Sequence, residues 1–253
     1  MAQCFNENTY RGHDGLTNLE RFMRNISTYC DALVLYDDAS TDSSVQYVED
    51  KWIPWVVRDE GQLRDILIIR GEHNDFKNEL AHKQRALEKC LSINPDVILW
   101  LDIDECINDL GPLYSEIRRM WDENLDGLVM YEDNLWRTDR FKRVDGLWAQ
   151  GQFCRVWKAS SCKNFQVGRG LHQRLYPFGI DRVLDSSVRV THYGFASDDS
   201  ILRKYRMYKA HGQSGAALTR LIDESTLKVS PSCLRYVYGP GREVFNTPLV
   251  KKV

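Results

Sequence analysis

The stretch VILWLDIDECI at residues 97–107 constrains this chain most, because an apolar run there ends abruptly in Asp102, Asp104 and Glu105. An unbroken run with β-branched and aromatic members predicts a strand buried on both faces. Residues two apart on a strand share a face, so Asp102 and Asp104 are expected to address one ligand while Glu105 points away. Open α/β sheets bind ligands at the carboxyl edge of their strands, where such a pair would lie.

The residues before it follow the same pattern. Strands are expected at 2–5, 32–36 and 66–69, the second ending in the acids and small polar residues of DDASTD at 37–42. Between them, Leu16, Leu19, Phe22, Met23 and Ile26 recur at helical spacing, Val45 and Val48 mark a second helix, and Leu80, Leu87 and Leu91 a third over 78–91. The order βαβαβαβ predicts a mostly parallel sheet with helices on both faces. Pro112 suits a helix start, with Leu113, Ile117, Met120 and Trp121 as its apolar stripe, and 127–131 reads as a further strand.

Beyond residue 131 the alternation stops. Trp136, Trp148 and Trp157 are interspersed with Arg137, Arg140, Lys142, Arg143 and Arg155, a composition suited to stacking on sugar rings and binding hydroxyl or phosphate groups. Core packing accounts for at least half of these aromatics equally well. A strand is expected at 187–193, then a helix carrying Ile201, Tyr205 and Tyr208 with a basic outer face of Arg203, Lys204, Arg206 and Lys209. The organisation expected is one domain over 1–253. Residues from about 1 to 110 would form the half that carries the βα pattern, about 111 to 215 a second half, and about 216 to 253 a loop-rich extension.

A formal net charge of −2 offers no general attraction to phosphate backbones, so nucleic acid is not an expected partner. The seven cysteines are scattered without a C-x-x-C pair, which points to buried free thiols in a reducing compartment. No apolar run approaches membrane-spanning length, and a cytoplasmic protein with peripheral membrane contact left open is expected.

Two strand ends bearing paired acids, Asp37-Asp38 and Asp102-x-Asp104, supply hard oxygen donors suited to Mg²⁺ or Mn²⁺ shared with a phosphate. Solvated turn acids or helix caps are the plain alternative. Phe5-Asn6-Glu7, DDASTD at 37–42 and LDIDE at 101–105, in that order, resemble glycosyltransferase family 2 of the GT-A fold. THYGF at 191–195 and RKYRMY at 203–208 resemble one branch of it.

That resemblance implies a Rossmann-like sheet and inverting transfer of a sugar from a nucleoside-diphosphate sugar to a hydroxyl of a glycan or glycoconjugate. Phe5 and Glu7 would belong to the nucleotide site, with Phe5 lining the base pocket. Asp38 would bond the nucleobase, and Lys83 would lie near the diphosphate. Asp102 would face ribose or cation, Asp104 the divalent cation, and His192 the metal or diphosphate. The general base departs from the family pattern, because Gln173 stands where related enzymes often carry an acid. Asp145, Asp133 and His172 are the substitutes. Two rival readings remain. One is a phosphatase of the haloacid dehalogenase type using Asp102 and Asp104, and the other a catalytically silent nucleotide-sugar-binding module.

Overall fold

A computed structural model describes residues 1–9, 11–12, 14–58, 61–145, 148, 151–165, 176–215, 218, 221–223, 228–229, 234–236 and 244–245. The first half runs β1 (Ala2–Cys4), α1 (Asn18–Ile26), β2 (Ala32–Asp37), α2 (Ser44–Tyr47), α3 (Ile53–Val57), β3 (Asp65–Arg70), α4 (Glu79–Leu91) and β4 (Val97–Leu99). The second runs β5 (Glu105–Ile107), α5 (Leu110–Asp122), β6 (Gly127–Asn134), β7 (Phe141–Arg143), β8 (Gln152–Lys158), β9 (Val183–His192) and α6 (Asp198–Ala210). Four short strands follow: β10 (Ile222–Asp223), β11 (Lys228–Val229), β12 (Leu234–Tyr236) and β13 (Val244–Phe245). A π-helical turn at Val48–Trp52 joins α2 to α3, so one interrupted helix stands where the Val45 and Val48 spacing predicts a helix.

Strand β2 pairs in parallel with β1 on one side and β3 on the other. Leu33 and Leu35 bury into one apolar cluster and Val34 and Tyr36 into another, as a strand covered on both faces requires. Helix α1 is held by its sequence: Thr17 caps it by accepting from Glu20 N, and Leu19, Phe22, Met23 and Ile26 form its buried stripe.

The predicted single strand at 97–107 is two strands. Strand β4 ends at Leu99, residues 101–104 turn with Glu105 N donating to Asp102 O at 2.9 Å, and β5 starts at Glu105. Both join a second sheet of order β4-β8-β6-β9-β5, antiparallel except for β6 against β9. The fourth strand expected from the βα pattern reaches the first sheet only at Met1, in the bonding pattern of a parallel pair. Met1 N donates to Leu99 O at 2.6 Å and Leu101 N to Met1 O at 3.3 Å, which places the two sheets edge to edge.

Strand β7 pairs with β12, which pairs in turn with β13, so the expected loop-rich extension contributes strands. Helix α6 packs over a third cluster that includes Trp136, Phe195, Ile201 and Tyr205. Its start is fixed by a capping box in which Ser197 and Ser200 satisfy each other's backbone N–H groups. Cys4, Cys30, Cys90, Cys106, Cys154 and Cys162 are free thiols, and Cys233 lies outside the described residues.

Candidate active site

The loops after β1 and β2 are clasped together. Asn6 Oδ1 accepts from Thr41 N at 2.8 Å and Asp42 N at 3.1 Å, and Asn6 N donates to Ser40 Oγ at 3.0 Å. Asn6 and Ala39 adopt left-handed φ values of 55° and 56°. For Ala39 that conformation costs roughly 1–2 kcal/mol, which the surrounding hydrogen bonds must offset. Phe5-Asn6-Glu7 and DDASTD are thus one structural unit.

A cleft of about 820 Å³ opens beside this unit. Its walls include Phe5, Glu7 and Asp42 from the clasp, Asp102, Asp104 and Glu105 from the turn, and Glu132 and Asn134 from β6. Arg155 from β8, His192 from β9, Arg203 and Lys204 from α6 and Glu79 from α4 add to its charged lining. Glu7 reaches across it, its carboxylate accepting from Asn18 Nδ2 at 2.9 Å and meeting Arg203 Nη1 at 3.3 Å.

Asp104 is engaged by two basic groups. Its Oδ2 lies 2.8 Å from Lys204 Nζ and 3.1 Å from His192 Nε2, and these two nitrogens are 3.2 Å apart. Burial alone would push its carboxyl up, but Lys204 and His192 hold it well below the usual carboxylate range. The same cluster acts on His192 in reverse: burial disfavours the imidazolium, yet Asp104 and Glu132 raise its pKa to about 10. Its other ring nitrogen, Nδ1, faces Asn134 Oδ1 at 2.7 Å and Glu132 Oε1 at 3.3 Å. Burial would raise the Glu132 carboxyl too, but His192 and Arg155 lower it to about 2.

Asp102 differs. Its side chain is 44% exposed, Oδ1 accepts from Trp100 Nε1 at 3.1 Å, and Oδ2 is 3.8 Å from Arg155 Nη1. Glu105, which a continuous strand would turn away from the two aspartates, lines the cleft because the turn breaks the alternation. Its carboxylate pairs with Arg155 and accepts from Asp102 N. Arg155 is wholly buried on this wall, with Nε and Nη1 lacking a hydrogen-bond partner.

These contacts decide how well the expected metal set suits a divalent cation. Asp104 and His192 converge, but a lysine ammonium already stands against both, and the described residues hold no group of three His, Cys, Asp or Glu side chains arranged for a metal. Asp102 is the one expected ligand with an open carboxylate face. As arranged, the three do not form a cation cage, and no chemical step is assigned to a metal here.

The remaining expected residues lie off the cleft wall. Asp38 is fully buried, accepting from Asn74 Nδ2 at 2.8 Å and Asp75 N at 3.0 Å, and burial lifts its carboxyl to about 6. Lys83 is buried beneath Glu79, pairing with its carboxylate and standing 4.9 Å over the Trp100 ring. Asp133 faces away from the cleft, tied to Lys142 at 2.9 Å and to Arg189. Asp145 forms two 2.8 Å bonds with Arg143, whose guanidinium lies over Trp136 and Trp148. His172 lies outside the described residues. Of the three tryptophans expected at an acceptor platform, Trp148 lines the cleft, whereas Trp136 and Trp157 are core.

Sequence reasoning passed over Glu132, read Lys204 as part of a basic outer face, and named Arg155 only among the basic residues of a second ligand's site. Lys204 falls in a helix whose basic residues read as a solvated face, and Glu132 adjoins Asp133 on a strand expected to end one residue earlier. The available signal for Lys204 was its place two turns after the Ser197 cap, close behind His192 and Gly194.

No family model matches the chain, and no curated protein sequence does. Among solved structures, the crystal structure of S. aureus TarS superimposes with a TM-score of 0.50 at 13% identity, over 87% of this chain and 41% of TarS. A structure of TarS 1-349 gives 0.49 at 13% identity, over 87% and 67%. The mannosyltransferase PcManGT from Pyrobaculum calidifontis, in complex with GDP-Man and Mn²⁺, gives 0.47 at 13% identity, over 85% and 64%. The chain therefore spans 41% of the length of the first of these proteins. The likeness to TarS speaks to architecture, and it agrees with the sheet order and the resemblance noted above: the chain has a mixed α/β fold of the GT-A type.

Proposed function

We propose that the chain is a glycosyltransferase of the family 2 type, moving a sugar from a nucleoside-diphosphate sugar to an acceptor hydroxyl with inversion at the anomeric carbon. One observation supports this most directly. The clasp of Phe5-Asn6-Glu7 with DDASTD, the Asp102–Asp104 turn and the start of α6 converge on one cleft of about 820 Å³, large enough for a nucleotide sugar.

In this reading Phe5 and Glu7 receive the nucleoside, and Asp102 offers the exposed carboxylate toward ribose. For Asp38 to bond the nucleobase, the segment carrying Asn74 and Asp75 must release it. Charge developing on the departing diphosphate is met by Arg155, Arg203 and Lys204, which are preplaced and cost no reorganisation at the moment of reaction. Trp148, Phe153 and Phe195 give the cleft an aromatic wall against which sugar rings can lie. Asp133 and Asp145, tied to basic partners away from the cleft, are poorly placed as the base. A glycan or glycoconjugate is the proposed acceptor.

The phosphatase reading gives no role to DDASTD, which is clasped to Phe5-Asn6-Glu7 beside the cleft. Thermal unfolding in the presence of UDP, GDP and dTDP and their sugars tests the proposal. Ligand at a hundred times its Kd stabilises the native state by about 2.7 kcal/mol, which a melting curve detects. Slow release of nucleoside diphosphate from one of the sugars marks an enzyme, whereas binding without turnover marks a silent module. Indifference to every nucleotide sugar rules the proposal out.

A further inference from the structure

Among the described residues, Lys204 is the one lysine whose ammonium stands among the carboxylate and imidazole groups of the cleft. Its Nζ is 2.8 Å from Asp104 Oδ2 and 3.2 Å from His192 Nε2. The side chain is 13% exposed, crossing the ring of Phe195 with Nζ 4.7 Å from the centroid. The geometry is built in from several elements: Asp104 from the turn, His192 from the end of β9, Lys204 from nearly two turns into α6. Gly194 closes the group, since a Cβ there would collide with Asp104 Oδ2, Lys204 Nζ and His192 Nε2 alike.

A hard divalent cation bound to Asp104 would need to sit roughly 2.0–2.6 Å from a carboxylate oxygen. At Oδ2 that space is taken by the ammonium. An ammonium has three N–H donors, of which Asp104 can take one, and the cleft lies open to the nitrogen.

We propose that Lys204 is the fixed counter-charge for the donor's diphosphate, standing at Asp104 and His192 where a divalent cation would otherwise bind, so that nucleotide binding does not depend on metal. This rests on the glycosyltransferase reading for its ligand. Asp104 and His192 then act as positioning residues that aim the ammonium. A lysine held by a buried carboxylate keeps its charge and place without exchange with solvent ions, and its N–H groups can follow phosphate oxygens as negative charge grows there.

Two measurements test it. Binding of UDP and GDP is followed calorimetrically in EDTA and in MnCl₂, for the wild type, Lys204→Met and Lys204→Arg. Titration of MnCl₂ alone into wild type and Asp104→Asn is followed by the free-ion resonance signal. The expected results are nucleotide affinity equal within about twofold with and without metal, and a loss of about tenfold or more for Lys204→Met in EDTA, part of it recovered by Lys204→Arg. Wild-type protein is expected to leave the Mn²⁺ signal of the free ion unchanged. The inference is overturned if the wild type takes up Mn²⁺ in a way that Asp104→Asn abolishes, or if nucleotide binds only with metal present. Should Lys204→Met fail to fold, the wild-type measurements still decide. If neither nucleotide binds under any condition, the glycosyltransferase reading falls, while the Mn²⁺ titration separately reports whether the Asp104 position is closed to metal.

Discussion

Glu132 and Asp133 are neighbours on β6 that face opposite sides of the sheet. Glu132 lines the cleft with its carboxylate 3.3 Å from His192 Nδ1 and 3.5 Å from Arg155 Nη2, whereas Asp133 is bonded to Lys142 and Arg189 behind it. Strand alternation alone separates a cleft residue from a structural one. Glu132→Gln is expected to reduce nucleotide-sugar turnover strongly and also to lower stability, because it removes the carboxylate that His192 and Arg155 hold ionised. Asp133→Asn, which removes partly exposed ion pairs, is expected to cost at most about 1 kcal/mol in urea unfolding and to leave turnover near the wild-type value. Equal turnover losses in the two variants would contradict the assignment.

Gly194→Ala places a methyl group against Asp104, Lys204 and His192 at once. Since all three are fixed by one another, the substitution is expected to lower the melting temperature and to abolish nucleotide stabilisation. A melting curve with and without UDP or GDP reads both effects. An unshifted melting point would show that the cluster has slack that its geometry does not suggest.

Arg155, itself buried, pairs with two carboxylates on the cleft wall, Glu105 and Glu132. Arg155→Met leaves Glu105 without its cation and Glu132 with His192 alone, and the expected cost is about 3–5 kcal/mol by denaturant unfolding. Adding Glu105→Gln in the same chain is expected to return a substantial part of that loss, because the stranded charge is removed with it. A double variant as unstable as the single one would show that packing rather than charge dominates.

Asp38 carries a pH signature. Burial lifts its carboxyl to about 6, above the value of an unfolded chain, so the folded state binds the proton more tightly. Its contribution to stability therefore rises as pH falls through about 6 towards about 4 and is lost as pH increases through that window. The difference in unfolding free energy between wild type and Asp38→Asn is expected to move in favour of the wild type on acidification across this range. A difference independent of pH would mean that the carboxyl titrates as if unburied.

The sequence was most informative where a single period decides burial. The apolar run of β2 and the 3.6-residue stripe of α1 each permit one arrangement, and the structure shows it. It was least informative at 97–107, where a buried strand and two short strands around a turn share the same composition. Hydrogen bonding from Glu105 N to Asp102 O and the antiparallel partners β8 and β9, distant in the chain, make that choice. Lys204 was misjudged for a related reason. A lysine on a helix reads as solvated until the acid and imidazole that receive it are known, and here those come from Asp104 and His192.

The seam between the two sheets has a dynamic consequence. Strand β1 meets the Leu99–Leu101 segment through the Met1 N and Leu101 N hydrogen bonds alone, while β2 and β3 are laddered along their whole length. Amide protons along that junction should trade with deuterium sooner than those of β2, since separating it breaks few bonds. The cleft borrows walls from both sides of the junction, Phe5 from one and Arg155 from the other. Any molecule filling it would act as a staple, and slowed deuterium uptake at Leu101 would report its arrival from a position that it never touches.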